Sequence, residues 1–177
     1  DLLPLVEPMA QARGITVIDD FGHNPDKTAA TLATLKAFPG RIIAFFQPHG
    51  YGPIRVMGNE LAGVFAKHLN RDDYLILCDP VYFGGTVDKS LGSQSITDAV
   101  DAAGMQAEYI PSREDCGNRI IGLAQPGDRI VRLGHLALNV AVLLMAFSGA
   151  TLALQSGLLE AVFGSGVLPS DFKAYTP

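Results

Sequence analysis

The stretch that decides the fold is Arg-Ile-Ile-Ala-Phe-Phe at positions 41–46, a short run that is apolar on both of its faces. Such a strand is expected in a sheet covered on both sides, because alternate side chains point to opposite faces. Four further short runs are rich in apolar residues, most of them on both faces, and they are Ile15–Ile18, Tyr74–Cys78, Gln106–Ile110 and Arg129–Leu133. Each run is short enough to be a single strand, so we expect a sheet within the first 133 residues.

Segments with a helical period separate these runs. Lys27–Phe38 carries an apolar stripe and ends at a Pro-Gly pair, which stops a helix. The other predicted helices are Val56–Leu69, Ser95–Ala103 and Arg113–Ala124. Strands that alternate with helices form right-handed parallel units. The pattern therefore predicts an α/β, Rossmann-like fold with a mainly parallel sheet of five to six strands and helices on both faces.

The composition excludes several classes of protein. Of the 177 residues, 48% are apolar and 18% are charged, and the formal net charge is -5. These values argue against an intrinsically disordered chain, a disulfide-rich miniprotein and a nucleic-acid-binding protein. Cys78 and Cys116 are too few for a disulfide framework and lack a metal-ligand spacing, so we expect a reducing, cytoplasmic compartment.

The N-terminus predicts a piece of a longer polypeptide. It begins at Asp1 without Met and within the pattern of the domain. It has no basic segment followed by an apolar one, so we do not expect a signal peptide.

The C-terminal part differs in composition from the rest. Residues 133–159 contain no Asp, Glu, Lys or Arg. We therefore divide the chain into an α/β domain of residues 1–133 and an apolar, helical tail of residues 134–177. The length permits a membrane helix within residues 134–159, but polar residues interrupt the run and no basic cluster or aromatic belt flanks it. We favour a tail buried against the sheet or a partner; a membrane anchor and a non-native C-terminus are the alternatives.

The loops that follow the first three predicted strands are polar and rich in Gly, Pro and His. Ligands of open α/β sheets bind at the carboxyl ends of the strands, so these loops are the candidate site. In the first loop, Asp20 is suited to accept sugar hydroxyls, and His23 and Asn24 add hydrogen-bonding groups. The alternative is a plain capping loop, in which Asn24 caps the following helix and Asp26 complements its dipole.

The second loop, Gln47–Arg55, contains two prolines and two glycines and presents His49, Tyr51 and Arg55. An ordinary turn with a solvent-facing His is the alternative for this loop. The third loop, Asp79–Thr86, has exposed aromatic residues and a Gly pair that are compatible with a cleft, and it gives the weakest of the three signals.

Two of these segments resemble a known family. Val-Ile-Asp-Asp-Phe-Gly-His-Asn-Pro at 17–25 resembles the Asp-Tyr-(Gly/Ala)-His-(His/Asn)-Pro signature that opens the C-terminal domain of Mur ligases and folylpolyglutamate synthetase. Ala-Phe-Phe-Gln-Pro-His at 44–49 resembles the Phe-Gln-Pro-His segment of the UDP-N-acetylmuramate–alanine ligase branch. The resemblance covers roughly residues 13–133 and implies the C-terminal domain of a peptidoglycan-precursor ligase.

The resemblance implies an enzyme that joins a carboxylate to an amino acid amine through an acyl phosphate made with ATP. By resemblance, Asp20 would hold the ATP ribose, and His23 would lie near the nucleotide or the reaction centre as the catalytic residue. Asn24 would belong to the same cofactor-binding loop. His49 and Tyr51 would line the pocket of the incoming amino acid, and Arg55 is a further candidate for substrate binding.

The same resemblance implies partners that this chain lacks. A Gly-x-Gly-Lys-(Thr/Ser) phosphate loop is absent from the sequence, so the ATP-binding central domain, its Mg²⁺ ligands and the domain for the UDP-N-acetylmuramyl substrate are expected upstream. The fragment alone is therefore expected to be inactive.

The sequence departs from the family pattern at the second loop. Gly50 and Pro53 stand where the alanine-adding branch carries two arginines, which leaves the identity of the added amino acid open. Another amide ligase of the folylpolyglutamate or cyanophycin type is an alternative. A non-catalytic nucleotide-binding or interaction domain is the alternative from a different class.

Overall fold

One twisted sheet organises the described part of the chain. The computed structural model describes residues 7–12, 14–82, 84, 86, 88–134 and 173–174. The strands are β1 (Glu7–Ala12), β2 (Ile15–Asp20), β3 (Ile42–Phe46), β4 (Tyr74–Leu77), β5 (Gln106–Tyr109), β6 (Arg129–Leu133) and β7 (Lys173–Ala174). Their order across the sheet is β5-β4-β3-β6-β2-β1-β7.

The five predicted strands are all present and form a continuous parallel sheet from β5 to β2. The sheet is larger than the predicted five to six strands, because β1 and β7 add two antiparallel strands at one edge. The sequence of β1, Glu-Pro-Met-Ala-Gln-Ala, has no β-branched residue, so its strand character comes from backbone pairing with β2.

Four helices connect the parallel strands, as predicted. They are α1 (Pro25–Lys36), α2 (Tyr51–His68), α3 (Ser93–Ala102) and α4 (Arg113–Leu123). The predicted start of α2 at Val56 is wrong, because the helix begins at Tyr51 and runs through Pro53. Proline is tolerated in a first helical turn, where its missing N–H has no partner in the helix. Tyr51 and Arg55 therefore lie on a helix and not in a loop.

Alternate side chains of the strands form two separate cores. On one face, Ala44 and Phe46 of β3 pack with buried side chains of α1, α2 and α3. On the other face, Ile43 and Phe45 pack with Cys116 and Ile120 of α4. The prediction of helices on both faces is confirmed, and the double-sided burial explains why the central strand β3 is apolar throughout.

Buried charges stabilise the amino-terminal edge of the sheet, opposite the candidate site. The carboxylate of Asp73, which is 1% exposed, accepts hydrogen bonds from the backbone N–H groups of Ile42 and Asn70 at 2.7 Å each, and it pairs with Lys36. Arg41 pairs with Asp128 at 2.6 Å, which ties the start of β3 to the start of β6. These charged groups hold strand starts in register.

The apolar tail lies largely outside the described residues. Of residues 134–177, the structure describes Gly134 and the two residues of β7. Among the described helices, none has the combined length and apolarity that a bilayer crossing requires. The predicted helical character of the tail is therefore untested.

Candidate active site

The strand register brings the predicted loops together at one edge of the sheet. Asp20 pairs with Leu133, Leu133 with Phe46, and Phe46 with Leu77 across neighbouring strands. The row continues to Tyr109 at the end of β5. The loops that follow β2, β3 and β4 are consequently neighbours, although β6, which is the last parallel strand in the chain, lies between β2 and β3.

Asp20 ends β2 with its carboxylate held in place. One carboxylate oxygen accepts a hydrogen bond from the backbone N–H of Gly22 at 3.2 Å, and the other accepts one from the Thr31 hydroxyl of α1. A Cβ atom added to Gly22 would lie in ordinary contact, at 3.5 Å, with both the Asp20 carboxylate and the Leu133 side chain. The backbone donor of Gly22 orients the carboxylate, and the Thr31 hydroxyl, whose single proton is shared with the carbonyl oxygen of Lys27 at 3.0 Å, adds to it.

His23 follows in the same loop. Its Nδ1 lies 3.0 Å from the carbonyl oxygen of Phe21, and the two rings contact each other with centroids 4.7 Å apart. A protonated Nδ1 would donate to this carbonyl, which leaves Nε2 as the acceptor of the neutral ring. The loop geometry thus selects the tautomer of His23.

Asn24 occupies the capping position of α1, as the alternative interpretation of this loop predicted. Its side-chain oxygen accepts a hydrogen bond from the backbone N–H of Lys27 at 2.9 Å, and Pro25 begins the helix. Asp26 lies in the first turn, where a negative charge favours the helix dipole. The cofactor-binding role of Asn24 stays a prediction.

His49 and Tyr51 lie at the junction of β3 and α2, at the same edge of the sheet as the first loop. His49 is exposed, and Gly50, with φ 136°, begins α2 without a side-chain cap. The first turn of α2 contains no acidic residue, so its positive dipole end is not offset by its own side chains. The ring of Tyr51 contacts that of Tyr82 edge-on, with centroids 6.4 Å apart.

Arg55 lies one turn into α2 and is already paired. Its guanidinium bonds to Asp88 at 3.0 Å, and the two side chains are 40% and 55% exposed. This position agrees with a solvent-facing helix start. The substrate-binding role predicted for Arg55 stays a prediction.

A second group of polar residues, which sequence analysis did not select, lies at the same edge. We call Gln47, Asp79, Tyr109 and Arg113 the rim cluster. The Gln47 amide donates to the carbonyl oxygen of Asp79 at 3.2 Å and accepts from Arg113 at 3.1 Å. The Tyr109 hydroxyl donates to the Asp79 carboxylate at 2.5 Å. The cluster therefore joins the ends of β3, β4 and β5 to the start of α4.

The electrostatics of the rim cluster follow from these contacts. The hydrogen bond to Asp79, assisted by burial and by the negative charge of that carboxylate, raises the pKa of Tyr109 to about 12. Burial lowers the pKa of the Arg113 guanidinium, and the neighbouring positive charge of Arg132 acts in the same direction. Arg132 itself forms a two-pronged ion pair with Asp19, with both N–O distances at 2.7 Å.

Two of the four residues of the rim cluster could have been predicted in the same way as Asp20, from their position after a strand. Gln47 and Asp79 both come within two residues of a strand end. Tyr109 and Arg113 belong to β5 and α4, at a distance in the chain from the recognised segments, and only the sheet order brings them to the site. Among the side chains that the structure describes, no cluster of three or more His, Cys, Asp or Glu residues is arranged to hold a metal ion.

Comparison with known families decides the classification. The model of the "Mur ligase, glutamate ligase domain" family matches residues 6–136, which is most of the chain. The chain belongs to the Mur ligase family. The match covers every element from β1 to β6, including the loops that carry Asp20 and His49.

Individual relatives agree with this assignment. The chain is 36% identical over 127 residues to a UDP-N-acetylmuramate–L-alanine ligase of Agrobacterium fabrum, in a match that covers 70% of the chain and 26% of the relative. It is 32% identical over 129 residues to the enzyme of the same name from Desulforamulus reducens, covering 71% of the chain and 27% of the relative. The chain thus spans about a quarter of the length of these curated relatives.

Solved structures share the fold. A murein peptide ligase from Psychrobacter arcticus superposes with a TM-score of 0.58 at 20% identity, covering 93% of this chain and 30% of that one. A UDP-N-acetylmuramate–alanine ligase from Thermotoga maritima gives a TM-score of 0.52 at 22% identity, covering 72% of this chain and 25% of that one. The parallel α/β sheet is therefore the Mur ligase fold.

Proposed function

We propose that this chain is the C-terminal, amino-acid-side domain of an ATP-dependent amide ligase of peptidoglycan precursor synthesis. The enzyme would add an amino acid to UDP-N-acetylmuramate or a muramyl peptide through an acyl phosphate. The observation that carries the proposal is the position of the two family segments, which end on neighbouring loops at the carboxyl edge of the sheet. The names of the curated relatives support the same substrate class.

In this proposal the first loop serves the nucleotide. The Asp20 carboxylate, fixed by Gly22 and Thr31, would accept hydrogen bonds from the ribose hydroxyls of ATP. His23 would lie near the reaction centre, where its Nε2 would accept the proton that the attacking amine loses. Asn24 would belong to the nucleotide loop while capping α1.

The second loop would serve the amino acid. His49 and Tyr51 would line its pocket at the start of α2. Arg55 is a further candidate in the same helix. The incoming amine would be placed beside the acyl phosphate by this edge of the sheet, so that positioning supplies much of the rate.

The remaining parts of the machinery would come from the rest of the polypeptide. Mg²⁺ would be held by a central domain, where it neutralises charge on the transferred phosphoryl group. We also propose that the α/β domain ends at residue 133 and that the protein is located in the cytoplasm. This chain by itself would be inactive, and muramyl-dependent ATP hydrolysis by the purified 177-residue chain would contradict that statement.

The proposal is tested in the full-length protein with two variants and two matched controls. Asp20→Ala and His49→Ala are expected to reduce ligation strongly while the unfolding transition changes little. Asp98→Ala and His68→Ala remove the same kinds of side chain in the middle of α3 and at the end of α2, away from the carboxyl ends of the strands, and they should retain turnover. Amide product is measured directly, by mass spectrometry, together with ADP release. Normal turnover in both site variants would instead favour the non-catalytic alternative.

A further inference from the structure

An amino acid that attacks an acyl phosphate brings a carboxylate into the site, and a carboxylate in a partly buried site requires a positive partner. Four cations near the candidate site already have partners on the described part of the chain. They are Arg132 on Asp19, Arg55 on Asp88, Lys89 on the Tyr82 ring and Lys27 above the Phe21 ring. The two arginines are less suited to bind a new anion, because their carboxylate partners must first be displaced, and the two lysines offer only a point charge where an arginine offers a two-pronged fork.

Arg113 differs from these four cations. Its hydrogen bond within the described chain goes to a neutral group, the side-chain oxygen of Gln47, at 3.1 Å. Partial burial of the guanidinium lowers its pKa first, the positive charge of Arg132 acts in the same direction, and the carboxylate of Asp19, which pairs with Arg132, opposes it in part. A negatively charged ligand beside Arg113 would offset both the burial and the repulsion.

The position of Arg113 is also well defined. It begins α4, whose first turn is capped by the Ser112 hydroxyl, which accepts from the backbone N–H of Asp115 at 3.3 Å. The side-chain oxygen of Gln47 accepts the hydrogen bond from Arg113, and its side-chain amide donates to the carbonyl oxygen of Asp79. Gln47 lies two residues before His49. A guanidinium has five N–H donors in a planar fork, and the bond to Gln47 leaves an edge for two-pronged binding of a carboxylate.

We propose that Arg113 binds the α-carboxylate of the incoming amino acid, with Gln47 as its positioning residue. This inference rests on the proposed function. It means that the first turn of α4 makes the enzyme prefer an amino acid to an amine that lacks a carboxylate. The carboxylate is bound by a cation of α4, which packs on the opposite face of the sheet from α2, and not by the loop that contains His49.

The test compares an amino acid with its own α-carboxamide in the full-length enzyme. L-Alanine and L-alaninamide are the first pair, followed by other amino acids until the amine substrate is found. Arg113→Gln removes the charge and keeps a donor for Gln47, and Arg113→Lys keeps a single-point charge. Arg119→Gln is the matched control, because Arg119 lies on the same helix and pairs with Glu108, away from the rim cluster.

The expected result is a loss of discrimination. The wild-type enzyme should prefer the amino acid over its carboxamide in kcat/KM, and Arg113→Gln should lower kcat/KM for the amino acid about 10- to 100-fold and leave the carboxamide within about twofold. Arg113→Lys should fall between these values, and Arg119→Gln should match the wild type. The KM for ATP should stay within about twofold in every variant.

Two results would overturn the inference while the proposed function stands. Equal losses for amino acid and carboxamide would mean that Arg113 only supports the packing of Gln47. A raised KM for ATP with unchanged discrimination would mean that the guanidinium binds phosphate. Absence of amide formation by the wild type with every amino acid would overturn the proposed function first, and the inference with it.

Discussion

Replacement of Gly134 by Ala should destabilise the protein more than the same change at a positive-φ glycine with open space around it. Gly134 follows β6 with φ 111°, a conformation that side chains rarely adopt. A Cβ atom placed there would lie 2.5 Å from the carbonyl oxygen of Gln47, a contact too short to persist. The backbone of Gln47 also donates to the carbonyl of Leu133 at 3.3 Å, so relief of the clash must disturb this connection.

Gly104 is the matched control for this substitution. It also has a positive φ, 85°, but an added Cβ would meet no atom within 4 Å. Both variants should lose about 1–2 kcal/mol of unfolding free energy from backbone strain alone. Gly134→Ala should lose a further ~1–3 kcal/mol, because the clash forces a shift in a packed region.

Urea unfolding of both purified variants, followed by circular dichroism, measures the two losses. For a domain of this size each 1 kcal/mol corresponds to about 2–4 °C in Tm, so the two variants should differ visibly in a thermal scan as well. On the function proposed above, Gly134→Ala in the full-length protein should also impair amino acid use, because the shifted strand end carries the Gln47 side chain of the rim cluster. Equal loss of stability in the two variants would refute the steric argument.

Two further predictions concern polar contacts of Asp73 and Tyr109. Asp73→Ala should cost about 3–5 kcal/mol in urea unfolding, because it leaves two buried backbone donors and a lysine without their partner, whereas the exposed neighbour Asp72→Ala should cost less than about 0.5 kcal/mol; similar losses in both would contradict this. Tyr109→Phe should cost about 1 kcal/mol near pH 8, because it removes a partly exposed hydrogen bond to a carboxylate. Since the folded-state pKa of Tyr109 is raised to about 12, the wild-type advantage should be complete below about pH 10 and should shrink between about pH 10 and 12. An advantage that is unchanged between pH 8 and 12 in paired urea titrations would show that the hydroxyl does not stabilise the fold through its proton.

The elements of the parallel sheet were predictable because their signals are local. A strand buried on both faces is apolar throughout, as Ile42–Phe46 is, and the helices carry their own apolar stripes and stops. The start of α2 was mispredicted because Pro53 indicates a loop in isolation, yet it is compatible with a first helical turn. β1 escaped prediction because its side chains carry no strand signal and its partner, β2, supplies the backbone hydrogen bonds.

The candidate site was predictable only in part. Asp20 and His49 follow strands directly, so the strand-end rule selects them without any knowledge of the sheet order. The partners of the arginines were not predictable in this way. Arg55 pairs with Asp88, which is 33 residues distant in the chain, and Arg113 bonds to Gln47, which is 66 residues distant.

By itself, the sequence determined the α/β alternation, the placement of polar loops at strand ends and the resemblance to Mur ligases, because each of these is written in local periodicity or in a short motif. The tertiary structure decided which strand ends are neighbours. It placed β6 between β2 and β3 and brought the start of α4 to the end of β3. The physical reason is that strand order depends on backbone pairing between segments that are far apart in the chain. The residues of a single strand do not specify which other strand it pairs with.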